Sequence, residues 1–162
     1  METVGLLGPK RALLRASFDM AFAGHGESFP AAGEPAYVRL MGELGFEDAV
    51  REYVRLLAAS IARTAGLWRA FHAAADADAK AAEMFDEIRG IRRTEFVRTA
   101  TWLADRGVVA HETVPMLVEE FFVIASHETY LLLSAECAYT AEDFAARLTN
   151  QVSRLLDPDA AF

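Results

Sequence analysis

The sequence predicts an all-α fold for this chain of 162 residues. Apolar residues recur at steps of three and four along most of the chain, and no stretch shows the two-residue alternation of a half-buried strand. Residues typical of helix ends punctuate this pattern, notably Asp76 or Asp78, Gly107 and Thr140. The length and the hydrophobic content of 53% are sufficient for one core, so we expect residues 1–162 to form a single all-helical domain.

The first half of the chain predicts a helix at about 9–23, a loop rich in Gly and Pro, and a short helix at about 35–44. A long helix begins near Phe46, and we expect Gly66 to interrupt it and to start a separate short helix. The next helix is expected at 79–105 with Gly90 in its middle. We attribute Gly90 to close packing against another helix, and a kink beside a ligand is the alternative.

The second half of the chain contains a strongly apolar segment, for which we predict one helix from about 113 to 135 and which we call the apolar helix. It is apolar nearly all round, so it must be covered on two sides. One core covers one side, and a partner subunit is expected on the other. The last helix is predicted to begin at Thr140 with a capping box in which Asp143 takes the place of Glu.

Composition and charge exclude several function classes. The net charge of −8, from 16 basic and 24 acidic residues, repels phosphate backbones and argues against unaided nucleic-acid binding. Cys137 is the only cysteine, which excludes an internal disulfide and favours a reducing, cytoplasmic location. The apolar stretch 121–133 contains His127 and Glu128 and is too short to span a bilayer, so no membrane partner is expected.

Four landmarks, in order, resemble the body of TetR-family transcriptional regulators. Residues 8–14, Gly-Pro-Lys-Arg-Ala-Leu-Leu, resemble the Gly-Ser-Lys-x-x-Leu-Leu-type segment that opens the connecting helix of the family, and residues 103–107, Leu-Ala-Asp-Arg-Gly, resemble its Leu-Ala-x-Arg-Gly turn. Residues 122–130 resemble its aromatic-x-x-x-Ser-Pro-Glu-x-Tyr segment with His127 in place of Pro, and residues 139–144 resemble its Trp-Ser-x-Glu-x-Tyr entry to the last helix.

The resemblance implies a TetR C-terminal-domain-like helical bundle. In that family the last two helices pair with those of a second subunit as a four-helix bundle, and the preceding helices enclose a pocket for a small, often apolar effector. Residues 1–7 are too few to hold the helix-turn-helix head of the family, so we expect no direct nucleic-acid binding by this chain. The expected homodimer contacts are Leu117, Phe121, Ile124, Leu132, Phe144, Leu148, Val152 and Leu155.

Candidate ligand contacts are aromatic side chains on inward helix faces and the few polar groups beside them, because small-molecule sites combine the two. Ser126 is expected to share a face with Phe122 and Tyr130, one turn away on either side. His72 has Asp76 four residues later, which is a possible acid–base pair. The full set is Tyr53, Trp68, Phe71, His72, Phe85, Ile88, Phe122, Ser126, His127 and Tyr130.

No catalytic residue, metal or cofactor is assigned, because the sequence has no zinc, dinucleotide or nucleophile-elbow motif and no His with a Glu three residues before it. The leading hypothesis is therefore a homodimeric small-molecule-binding domain of a TetR-like regulator without its DNA-binding head. An alternative is an enzyme acting on an apolar biosynthetic intermediate, with acid–base groups from His72, His127, Glu119, Glu120, Tyr53 or Tyr130. Another is an interaction protein that dimerises with full-length relatives and blocks their DNA binding.

Overall fold

Helices account for most of residues 7–23 and 42–157, the part of the chain that the computed structural model describes. No strand occurs in these residues, so the predicted all-α class is confirmed. None of the described helices combines the length and the apolar character needed to cross a membrane. Six α-helices are seen there, with the 3-10 helix His111–Thr113 before the fourth: α1 (Leu7–Ala23), α2 (Phe46–Ala77), α3 (Ala79–Asp105), α4 (Val114–Ile124), α5 (His127–Cys137) and α6 (Ala141–Leu156).

Helix α2 is the central element, since it packs against α1, α3, α5 and α6. Its 32 residues span about 48 Å at the usual helical rise. Two large groups of buried side chains lie along it, besides a small third one formed by Ala49 and Leu56. The main core consists of Val54, Ala58, Ile61, Phe96, Ala100, Leu103, Leu117, Val118, Phe121, Ile124, Ala125, Phe144, Leu148 and Val152, and the second cluster consists of Phe18, Trp68, Phe71, Phe85 and Ile88.

Three predicted helix ends are confirmed in detail. The Asp78 side chain accepts a hydrogen bond from Ala81 N–H at 2.8 Å at the start of α3. Thr140 and Asp143 form the predicted capping box at the start of α6. Helix α3 ends at Asp105, where Gly107 N–H donates to Ala104 O, and the φ of +71° at Gly107 turns the chain so that Val108 N–H reaches Leu103 O.

The two glycines inside helices behave differently from the prediction. Helix α2 continues through Gly66, so the expected interruption is wrong. The alanine-rich residues 73–77 form the last part of the same helix, which ends at Ala77. A Cβ added at Gly66 or Gly90 would meet no atom within 4 Å, and both residues are exposed. The close packing expected at Gly90 is therefore also wrong, because a solvent-facing glycine needs no neighbour.

The apolar helix is not one helix but two, which corrects the prediction of a single element at 113–135. Helix α4 ends at Ile124, and Ser126 caps a new helix, α5. A serine hydroxyl can hydrogen-bond to nearby backbone groups that would otherwise bond within a helix. Here such a bond separates the end of one helix from the start of the next. Phe122 consequently does not share a helix with Ser126 and Tyr130. The predicted loop after α1 and most of the predicted helix at 35–44 lie outside the described residues.

Replacing the two helical glycines tests these assignments. Gly66→Ala and Gly90→Ala should each raise the free energy of unfolding by about 0.5–1 kcal/mol, because alanine loses less backbone entropy in a helix. Gly107→Ala should lower it by roughly 1–2 kcal/mol, because its φ is positive. Urea denaturation of the three variants measures these changes. Destabilisation by Gly90→Ala would restore the close-packing interpretation.

Candidate functional site

The break between α4 and α5 brings His127 into the interior. Ser126 Oγ accepts a hydrogen bond from Thr129 N–H at 2.9 Å and so starts α5 at His127. The His127 side chain is 2% exposed, whereas Glu128 is an exposed residue. Consecutive residues at one helix start therefore supply an interior imidazole and a surface carboxylate.

The His127 ring lies flat on the indole of Trp68. The ring centroids are 4.2 Å apart with an angle of 6° between the planes. His127 Nε2 lies 2.7 Å from Thr64 Oγ1, and Thr64 is on α2 one turn before Trp68. Phe18 of α1 packs at 6.0 Å from both the Trp68 ring and the His127 ring. His127 thus extends the second cluster with a polar ring held from two sides.

Glu128 holds the outer edge of this arrangement. Trp68 Nε1–H donates to Glu128 Oε1 at 2.8 Å, and His72 Nε2 lies 3.7 Å from the same oxygen. His72 also stands edge-on to the Phe85 ring at 4.7 Å. The sequence suggested Asp76 as the partner of His72, but the structure places Glu128 beside it.

Arg92 of α3 lies against the end of α4. Its Nη2 donates to Ala125 O at 2.9 Å and to Phe122 O at 3.3 Å, carbonyls at the end of α4. The guanidinium carbon is 5.8 Å from the Trp68 ring centroid and 5.2 Å from that of Phe122. A positive charge at a helix C-terminus is favourable, so Arg92 stabilises the point at which α4 stops.

The His127 imidazole is neutral at physiological pH. Burial, followed by the positive charge of Arg92, lowers the pKa of His127 from 6.5 to about 3, and Glu128 opposes this only in part. Burial also raises the pKa of Glu128. However, hydrogen bonds from its own backbone N–H and from Trp68, together with Arg92, outweigh burial and hold the pKa below its usual range. The site therefore pairs a neutral buried ring with an ionised carboxylate.

One polar atom of the site has no partner. His127 Nδ1 is buried and makes no hydrogen bond to any group of the described residues. Nearly all buried polar atoms in proteins are paired, and an unpaired one costs about 1–3 kcal/mol. This nitrogen is therefore the feature of the site that calls for an explanation.

A small cavity lies elsewhere, in the main core near Tyr53. Its volume is about 50 Å³, and its lining includes Val50, Phe96, Trp102 and Leu148. Sites for small organic ligands usually enclose 300–1,000 Å³. In this conformation a drug-sized ligand would therefore need the helices around the cavity to separate.

The structure divides the predicted ligand contacts into two groups. Trp68, Phe71, Phe85 and Ile88 form the second cluster, with His72 and His127 in ring contact with it and Ser126 capping the adjoining helix. Tyr53, Phe122 and Tyr130 pack against the main core instead. The sequence analysis missed Phe18, Thr64, Arg92 and Glu128. Thr64 was detectable, because it lies four residues before Trp68 on the same helical face.

The residues predicted for a homodimer are mostly covered within one chain. Buried side chains cannot contact a second copy without unfolding the bundle around them, so a dimer of this conformation would use other residues of the same helices. The covered side chains are Leu117, Phe121, Ile124, Phe144, Leu148 and Val152; Leu155 is half-buried, and Leu132 is 62% exposed. The exposed apolar residues of α4 are Met116 and Val123.

The residues of the enzyme alternative do not converge. Glu119 and Glu120 are exposed on α4, while Tyr53 and Tyr130 pack against the main core. Among the described residues, no group of three or more His, Cys, Asp or Glu side chains is placed to hold a metal ion. A base is most effective when its pKa is near the working pH. His127, with a pKa of about 3, is therefore a weak base at neutral pH.

The low pKa of His127 predicts a pH dependence of stability. An unfolded histidine has a pKa near 6.5, so the unfolded chain binds one proton more than the folded chain between about pH 6.5 and pH 3. The free energy of unfolding therefore has its full value above about pH 6.5. It falls as the pH decreases through this window, by up to about 1.4 kcal/mol per pH unit. His127→Phe keeps a flat ring and removes the proton site.

Urea denaturation at pH 7, 6 and 5 measures the effect. The free energy of unfolding of the wild type should fall relative to that of His127→Phe as the pH decreases. His111→Gln is the matched control, since His111 is exposed, and it should keep the wild-type slope. Parallel curves for the wild type and His127→Phe would contradict the assignment of a neutral buried imidazole.

No protein-family model, curated protein or solved structure matches the chain significantly. The TetR-like interpretation therefore depends on the four sequence landmarks, and the functional interpretation depends on the geometry around Trp68 and His127.

Proposed function

We propose that the chain is a homodimeric, small-molecule-binding domain similar to the body of a TetR-type regulator, and that its ligand site is the second cluster together with His127. The observation that carries this proposal is the unpartnered, buried Nδ1 of His127 beside the Trp68 ring. Ligand sites combine apolar walls with a few precisely placed polar groups. Trp68, Phe71 and Phe85 supply the walls, and His127 supplies the polar atom.

The proton states favour binding over acid–base chemistry. His127 stays neutral to well below pH 7, and the Glu128 carboxylate is ionised and already bonded to the Trp68 indole. Neither group has the pKa near neutrality that a general acid or base needs. Both instead suit a site whose hydrogen-bonding pattern stays constant across the physiological pH range.

Binding is expected to move α1. The rings of the second cluster are buried and in contact with one another, so a ligand must displace a side chain. Phe18 closes the cluster from α1, a helix whose Leu13 and Met20 are exposed. A ligand that replaces the Phe18 ring would favour the state in which α1 has moved away from the cluster. The size of this shift is set by the difference between the ligand's affinities for the two states. In a regulator, that helix would carry the signal.

Ligand binding is testable with a neutral aromatic probe, 2-methoxynaphthalene, monitored by NMR. The chain has two tryptophans, Trp68 in the second cluster and Trp102 at the main-core cavity. We expect the probe to shift the indole N–H signal of Trp68 and to leave that of Trp102 in place. Trp68→Phe assigns the two signals. A shift confined to Trp102 would move the site to the main core, and no shift of either signal with this probe or with 2-naphthol would contradict the proposal.

The homodimer is testable through the exposed apolar residues of α4 and α5. Met116 and Val123 lie seven residues apart on one face of α4, and Leu132 is exposed on α5. Leu132→Glu should convert a dimer to a monomer in sedimentation equilibrium at micromolar concentration, because an interface does not tolerate an unpaired buried charge. Met20→Glu, at an equally exposed residue of α1, is the control and should remain dimeric. A monomeric wild-type chain would contradict this part of the proposal.

A further inference from the structure

The hydrogen bonds around Thr64 determine which nitrogen of His127 carries the proton. Thr64 Oγ1 lies 2.7 Å from Ser60 O and 2.7 Å from His127 Nε2, and its hydroxyl has one hydrogen. A carbonyl oxygen can only accept, so the hydroxyl donates to Ser60 O. The second short contact is then a hydrogen bond only if Nε2–H donates to Oγ1. His127 is therefore the Nε2–H tautomer, and Nδ1 has a lone pair.

That lone pair is buried and lacks a donor. The nearest positive charge, Arg92, directs its Nη2 to the carbonyls of Ala125 and Phe122. The indole N–H of Trp68 is bonded to Glu128. The polar groups that the described residues bring to this site are thus engaged with one another, and Nδ1 remains an acceptor that a further molecule could satisfy.

From this geometry we infer, on the basis of the ligand-binding function proposed above, that the ligand is a neutral aromatic hydrogen-bond donor of the phenol or indole class, whose O–H or N–H donates to His127 Nδ1. The aromatic part follows from the rings of Trp68, Phe71 and Phe85, which favour stacked or edge-on contacts with another ring. The donor part follows from the lone pair. Ketones, ethers and esters offer only acceptors and leave Nδ1 unsatisfied.

The polar groups around the site favour a neutral ligand, since Arg92, the cation beside it, already donates to Phe122 O and Ala125 O. A carboxylate or phosphate would bring oxygen lone pairs against the lone pair of Nδ1, and Glu128 already holds a negative charge at the outer edge. An ammonium ion could donate to Nδ1, but it would lose its hydration beside the half-buried guanidinium of Arg92. A neutral donor meets neither penalty, so the site selects for the hydroxyl or N–H group and against charge.

The test compares two probes of similar shape, 2-naphthol and 2-methoxynaphthalene, by calorimetric titration of the full chain at pH 7. The methyl group removes the donor and keeps the ring. We expect 2-naphthol to bind about tenfold more tightly, as one hydrogen bond to a buried acceptor implies. His127→Phe should reduce this preference to less than threefold. His111→Phe, at an exposed histidine outside the second cluster, should retain it.

A measurement on the wild type covers the case in which His127→Phe does not fold. Long-range nitrogen NMR of the imidazole should report the Nε2–H tautomer, with the Nδ1 signal moving on addition of 2-naphthol and staying in place with 2-methoxynaphthalene. An Nδ1–H tautomer would overturn the inference. Equal affinity for the two probes with a shifted Trp68 signal would overturn the inference and leave the proposed function intact. Absence of binding by both probes would overturn both.

Discussion

The Ser126 cap between α4 and α5 is the constraint on which the arrangement of the site depends. The Ser126 hydroxyl accepts a hydrogen bond from Thr129 N–H and starts a new helix, so the apolar segment is not one continuous helix. The new helix start directs His127 into the interior against Trp68 and Thr64. It also leaves the last carbonyls of α4 without helical partners, and Arg92 takes over two of them from a different helix. An interior imidazole and a half-buried guanidinium thus follow from one local hydrogen bond.

The main core and the second cluster, which both lie along α2, differ in chemistry. The main core is aliphatic and aromatic, and its cavity of about 50 Å³ is much smaller than the usual site for a small organic ligand. The second cluster is smaller, more aromatic, and bordered by His72, Glu128 and Arg92. A group of rings edged by polar side chains is costly to keep as plain core, because each polar group must find a partner. This difference is the reason for assigning ligand recognition to the second cluster rather than to the cavity.

Local chemistry was readable from the sequence, and contacts distant along the chain were not. The Asp78, Gly107 and Thr140 ends depend on hydrogen bonds within a few residues, and they were predicted. The hydrogen bond from His127 to Thr64 joins residues 63 positions apart, and that from Arg92 to Ala125 joins residues 33 positions apart. No local sequence pattern predicts either bond. The apolar helix was read as one element because hydrophobicity continues through Ser126 and hides the cap. Its all-round apolar character was then attributed to a partner, whereas much of it faces the intrachain core.

The uninterrupted course of α2 sets which changes in chain length the protein tolerates. Ile61 belongs to the main core and Trp68 to the second cluster, seven residues apart on one face. One inserted residue between them would turn everything after it by about 100° and carry Trp68 and Phe71 out of the interior. An insertion of seven would restore the face but displace it by about 10 Å along the axis. Length variants of this protein should therefore accumulate in the turn at 106–110, where the chain reverses beside Gly107, and be absent between Ile61 and Trp68.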